Sequence, residues 1–170
     1  MIAINREWAM PCADTLSIKP IDDLARKYIN GVSVDPFARD CRLANYTNDI
    51  NPETKASAHM WADEFLELLI REGVKADSAI FDPPYSARQV KEVYADHGRQ
   101  FFQADSQNHG RWTKERDLLA KLIVAGGYVL SFGWNSAGMG KKRGFEKVEI
   151  LLVNHGSAHN DTICLVERKL

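Results

Sequence analysis

Short apolar blocks, separated by charged and turn-forming residues, follow one another along the chain in an order that alternates strand with helix. A helix is expected over 20–29: Pro20 suits a first turn, Asp22 and Asp23 its amino end, Arg26 and Lys27 its carboxyl end, and Asn30-Gly31 stops it. Strands are expected over 32–34 and 45–50, a helix over 52–58, and a third short strand over 59–61. Asp63 caps a helix that runs to Arg71 and stops at Gly73. The apolar run 76–81 reads as a buried strand, Ser86 as the N-cap of a helix over 86–95, and 96–111 as a long polar loop. A helix from Thr113 to about Ala125 is expected to end at Gly126-Gly127. Strands then follow over 128–132, 147–153 and 161–167. Strands alternating with helices predict a doubly wound α/β domain with a mostly parallel sheet, closed by a C-terminal antiparallel pair.

Ligands of such sheets bind beyond the carboxyl ends of the strands. Four successive strand ends carry a carboxylate there or just beyond: Asp35, Asp49, Asp63 and Asp82. Asp49 also suits a plain turn before Asn51-Pro52, and Asp63 a plain N-cap. The most informative stretch is Asp82-Pro83-Pro84-Tyr85, directly after an apolar strand. Two prolines fix φ and remove two backbone donors, so the chain leaves the strand in a stiff extended elbow. A carboxylate, main-chain carbonyls and an aromatic ring in fixed relation can accept hydrogen bonds from an amino group while stacking on the plane that bears it. An ordinary turn after a strand would carry the same letters.

The tetrapeptide resembles the DPPY motif of amino-methyltransferases, which move a methyl group from S-adenosylmethionine (SAM) to an amino nitrogen. Val34-Asp35-Pro36-Phe37-Ala38 is similar to the first SAM motif of DNA adenine methyltransferases, Thr47-Asn48-Asp49-Ile50 to the second and Ala62-Asp63-Glu64-Phe65-Leu66 to the third. Trp8 to Pro20 resembles the family's N-terminal segment, which closes over the methionine end of SAM; Gly127 to Trp134 resembles the strand and loop after the catalytic helix. The motifs keep the family's order along one domain, 1–170, with 1–20 as the cofactor-closing segment and 96–112 as a substrate loop.

The resemblance implies a class I, Rossmann-like SAM-methyltransferase fold. It implies catalysis by Asp82, Pro83, Pro84 and Tyr85. Cofactor contacts would come from Met10, Pro11, Thr15, Asp35, Pro36, Phe37, Asp49, Ile50, Ala62, Asp63 and Asp82, and substrate contacts from Tyr85, Arg88, Trp134 and Asn135. Two departures stand out. Arg39 and Asp40 replace glycines that follow D-P-F in the family, and neither the Asp35–Asp82 interval nor the stretch after Tyr85 leaves room for a separate target-recognition domain.

Composition narrows the setting. Hydrophobic content of 45% with 26% charged residues suits a soluble globular domain. No apolar run is expected to span a bilayer, and the N-terminus lacks the pattern of a signal peptide. Three scattered cysteines without ligand spacing read as reduced thiols, so a cytoplasmic protein without a bound metal is expected. The net charge of −1 argues against strong unaided grip on duplex DNA. A nucleic-acid partner, DNA first, must then be met by local patches, by a partner (a homodimer or a recognition subunit) or by weak transient contact. Arg88, Lys91, Arg99, Arg111, Lys114 and Arg116, interleaved with Phe101, Phe102 and Trp112, form one such patch, with Lys141-Lys142-Arg143 as a second. A solvated surface loop has the same composition. Adenine N6 in DNA is the expected acceptor. An RNA base, a glutamine amide in a protein, and a catalytically weak partner subunit are the alternatives.

Overall fold

The computed structural model describes residues 1–84, 112–156 and 159–170. Among them lie seven strands in one sheet and three α-helices. In chain order these are β1 (Ala3–Trp8), α1 (Lys19–Tyr28), β2 (Ser33–Asp35), β3 (Tyr46–Thr47), α2 (Ala62–Arg71), β4 (Ala76–Phe81), α3 (Thr113–Leu122), β5 (Ile123–Gly133), β6 (Phe145–Asn154) and β7 (Thr162–Lys169). The strands lie side by side as β1-β6-β7-β5-β4-β2-β3. All neighbours are parallel except β7, which is antiparallel to both β5 and β6. The expected doubly wound sheet with its C-terminal antiparallel pair is therefore what forms.

Side-chain alternation along β4 explains the two-sided core. Ala79 and Phe81 face α2 and α3, packing with Phe65, Leu66, Leu69, Leu119 and Val129. Ile80 faces the other way, toward Ile21, Leu24 and Ala25 of α1 and toward Leu130 and Val153. A strand buried on both faces must be apolar throughout, which is why 76–81 shows no polar alternation after Ser78. At α3 the last turn is closed from outside, since Lys169 of β7 donates to the carbonyls of Ala120 and Ile123 at 2.6 Å each.

Four local expectations are corrected. The helix α3 stops at Leu122, and Gly126-Gly127 lie inside β5 rather than behind a helix. The register between β4 and β5 shifts there, Gly126 adopts φ +84°, and a Cβ on Gly127 would come within 2.7 Å of the Asp77 carbonyl. These glycines make a bulge, not a stop. Second, 52–58 holds turns. Asp49 accepts from the Asn51 N–H and Asn51 from the Glu53 N–H, the local side-chain bonds that compete with a helix. Third, 59–61 forms no strand, because the buried Asn48 side chain takes a strand's place: it accepts from Met60 N–H and donates to the carbonyls of Met60 and Pro36. Fourth, the segment 1–20 is partly sheet, with β1 as an outer strand beside β6. The helix expected over 86–95 and the loop over 96–111 lie outside the described residues.

Beside β1, the Glu149 carboxylate on β6 accepts from Asn5 at 2.8 Å, Lys27 at 2.7 Å and Tyr28 at 2.6 Å. One buried acid thus joins β1, α1 and β6. No helix among the described residues is long and apolar enough to cross a membrane.

Candidate active site at the carboxyl edge

The chain leaves β2 outward to β3 and leaves β4 in the opposite direction to β5, so strand order reverses between β2 and β4, which are neighbours. In doubly wound sheets a ligand crevice opens at such a reversal. Here a cleft of about 520 Å³ lies at that place, in the usual range for a small-molecule site. Asp35 from β2 and Asp82 from the end of β4 both line it. Phe37, Ala38 and Arg39 form one wall, and Ala13, Asp14 and Thr15 another.

Asp35 is only 1% exposed, and its Oδ1 accepts from the Phe37 N–H at 3.0 Å. Burial pushes its carboxyl up to about 8; the Phe37 N–H opposes this, while the charges of Asp82 and Asp49 add to it. The other acids around the rim are better compensated. Asp22 accepts from Arg26 at 2.8 Å, Asp14 pairs with Arg39 at 3.0 Å, and Asp40 accepts from the Lys55 N–H. Five aspartates (Asp14, Asp22, Asp35, Asp40, Asp82) and three arginines (Arg26, Arg39, Arg42) line the cleft; Asp35 is the buried one among these acids, so a cationic group brought beside it would stabilise its charged form. Phe37 adds an apolar ring that meets Phe81 and Trp112 edge-on at 5.6 and 5.1 Å.

The structure thus brings Thr15, Asp35, Phe37 and Asp82 to one cleft. Pro83 is buried and Pro84 half-buried directly behind Asp82. Pro36 contributes its carbonyl to Asn48, which fixes the wall that carries Phe37. The remaining positions are placed elsewhere. Asp49 is half-buried and spends its carboxylate on the main chain, accepting from Arg39 N–H at 3.0 Å and Asn51 N–H at 2.9 Å. Ile50, beside it, is half-buried and outside the cleft wall. Met10 is 69% exposed, and neither it nor Pro11 lines the cleft. Ala62 is core at the start of α2, and Asp63 accepts from Lys114 of α3 at 2.8 Å, away from the cleft wall.

Trp134 and Asn135 stand exposed just past β5, at the same sheet edge as Asp82. Asn135 turns its carbonyl oxygen back to the Ala137 N–H, while Trp134 borders a shallow depression with Asn154, His159 and Asp161. Tyr85 and Arg88 lie outside the described residues. Of the basic patch, Lys114 is committed to Asp63 and Glu67, and Arg116 sits 5.2 Å over the Phe81 ring. Lys141–Arg143 precedes β6 at the opposite edge of the sheet, with Arg143 bonded to Asp117, so that patch cannot serve the cleft. Among the described residues no cluster of three or more His, Cys, Asp or Glu could hold a metal ion.

Cys41, Arg42 and Leu43 also line the cleft, although nothing in the sequence marks them for it.

No protein-family model and no curated protein sequence matches the chain. Solved structures share its fold. "SMU.776, a putative methyltransferase" complexed with SAH superposes with a TM-score of 0.63 at 10% identity, over 93% of this chain and 50% of that one. "A putative sam-dependent methyltransferase from Streptococcus mutans" gives 0.59 at 10% identity, over 92% and 49%. "Putative methyltransferase yhhF from Escherichia coli" gives 0.52 at 11% identity, over 89% and 82%. The chain spans about half the length of the first two. What is shared at such identities is the architecture: this chain has the fold of class I SAM-dependent methyltransferases.

Proposed function

We propose that this chain is a SAM-dependent methyltransferase that modifies an exocyclic amino nitrogen, with adenine N6 in DNA as its acceptor. One observation carries the reading. Two carboxylates, Asp35 and Asp82, come from adjacent strand ends at the strand-order reversal and line one cleft of about 520 Å³. The donor set suits SAM: acidic groups for its cationic centres, the Phe37 ring for its apolar surface, and room for a nucleoside. Asp35 would meet the cationic end, with Thr15 and the Ala13–Asp14 backbone as the opposite wall.

SAM supplies an electrophilic methyl group on a sulfonium, whose departure as a neutral thioether needs little acid–base assistance. The chain's own task is the nucleophile. An aromatic amine has its lone pair delocalised into the ring, so acceptors that bind its two hydrogens draw the nitrogen toward sp³. Asp82 and the Pro83 carbonyl are the acceptors for this role, and the double-proline elbow fixes them without a mobile joint. As the N–CH3 bond forms and the S–CH3 bond breaks, the nitrogen's surplus proton passes to solvent. Positioning of this kind is worth about 7–11 kcal/mol in favourable cases. Tyr85, next in the elbow, would stack on the base for roughly 1–3 kcal/mol. A base in duplex DNA must first be flipped out.

The test is to incubate the chain with methyl-tritiated SAM and adenine-containing DNA, matched RNA and protein acceptors in parallel. Label on adenine of DNA is expected. Label on RNA or protein alone would replace the acceptor, and no SAM binding by calorimetry would remove the enzyme reading altogether.

A further inference from the structure

The residue at position 39 is unusual three times over. It is a non-glycine residue in the left-handed region, at φ +49°. Its N–H donates to Asp49 Oδ2 at 3.0 Å. Its guanidinium donates to the Ala13 carbonyl at 2.7 Å and pairs with Asp14 at 3.0 Å. The first two features are what a glycine would also provide, since glycine adopts positive φ without strain. The third is what only a long cationic side chain provides. Ala13, Asp14, Thr15 and Arg39 all line the cleft, so the contact runs from the β2 wall to the N-terminal wall.

We propose that Arg39 is a positioning residue that straps the Ala13–Thr15 segment against the β2 wall and thereby encloses the cofactor. The proposal rests on the reading of this cleft as the SAM site. Its logic is an exchange. Glycine at this point lets the backbone approach a cofactor closely; arginine keeps the backbone path at the expense of strain and adds a side-chain tie to the facing wall. The two contacts are unequal. Arg39 and Asp14 are 57% and 54% exposed, so water screens their ion pair and little free energy comes from it. The guanidinium-to-carbonyl bond at 2.7 Å is charge-assisted and reaches the main chain itself, so it is the part that orders the segment.

Four variants of the full chain separate the parts: Arg39→Ala, Arg39→Gly, Arg39→Lys and Asp14→Asn. SAM affinity and dissociation rate are measured by calorimetry and stopped flow, and hydrogen exchange is followed over residues 12–17 with and without SAM. Arg39→Ala and Arg39→Gly are expected to weaken SAM about tenfold, the loss of one charge-assisted bond. The change should lie mainly in faster dissociation, with faster exchange over 12–17. Arg39→Gly should also melt higher than Arg39→Ala, because it relieves the left-handed backbone. Arg39→Lys should recover part of the affinity, and Asp14→Asn should shift it by less than about threefold. Arg39→Gly binding SAM as tightly as the parent, or unchanged exchange over 12–17 in the free Arg39→Ala chain, would overturn the strap. Absence of SAM binding by the parent overturns the cofactor reading instead, and the exchange data on the free chain still decide whether the strap exists.

Discussion

Asp35 and Glu149 are both buried strand carboxylates, 1% and 5% exposed, yet their surroundings are opposite. Glu149 accepts from Asn5, Lys27 and Tyr28. Burial alone would raise its carboxyl, but those three donors outweigh burial and hold it below the usual carboxylate range. Asp35 has the Phe37 N–H, a second carboxylate in the same cleft and, among the described residues, no cation bonded to it, and burial drives it up to about 8. A fully satisfied acid holds elements together; an under-compensated acid beside a cavity is held in a state that a cationic ligand can relieve. The contrast separates the frame of this molecule from its working edge.

The largest effect that would break this contrast concerns the neighbour of Asp35. Asp82→Ala should lower methyl transfer by at least ~10²-fold while SAM affinity stays within about threefold, because the lost acceptor orients the amine. Unchanged turnover in that variant refutes the elbow mechanism. Next, Glu149→Ala should destabilise the fold by roughly 1–2 kcal/mol in urea unfolding, since it removes the acceptor that ties β1 and α1 to β6, while the exposed Lys27 and Asn5 side chains are taken up by water. Asp35→Asn should do the reverse, costing little stability or adding some, yet weaken SAM by about tenfold or more.

The pH dependence sharpens the same pair. The folded Asp35 keeps its proton well above its unfolded value near 3.8, so its contribution to stability is complete at low pH and is lost as pH rises toward 8. In that window the unfolding free energy should fall with a slope of up to ~1.4 kcal/mol per pH unit, and Asp35→Asn should flatten it. Glu149 works with the opposite sign, and its contribution should fade only as pH falls through the acid range. The smallest effect belongs to the exposed Lys19–Asp23 pair, where Asp23→Asn should change stability by less than ~0.5 kcal/mol.

Much of the frame was legible in the sequence, because it depends on local signals. The run before Asp82 is apolar at successive positions as only a doubly buried strand must be, and Pro20 with Asp22 marks the start of α1 where the structure has it. What stayed hidden depends on partners far along the chain. Gly126-Gly127 looks like a helix stop until the Asp77 carbonyl is seen pressing on it. The sequence around β1 carries no strong strand signature, and its place is fixed by pairing with β6, more than a hundred residues away. At the site, Asp35, Phe37 and Asp82 were readable as strand-end residues. Asp63 looked equivalent, but a lysine one helix away claims it. Arg42 had no signal, since it stands neither at a strand end nor in a motif, and Asp14 was covered only as part of the Trp8–Pro20 segment.

The route of the first seventeen residues has a practical corollary. Ala3–Trp8 is a rim strand, the His155 ring fastens the carbonyl of Ala9, and a short span later Ala13–Thr15 forms a side of the crevice. Since that carbonyl can only accept, the ring's Nδ1 carries the hydrogen and its Nε2 receives the Thr162 hydroxyl at 2.8 Å. Anything fused ahead of Ala3 therefore pulls on a lever whose far end is the ligand doorway, whereas Lys169 and Leu170 emerge at the distant rim beside Gly144.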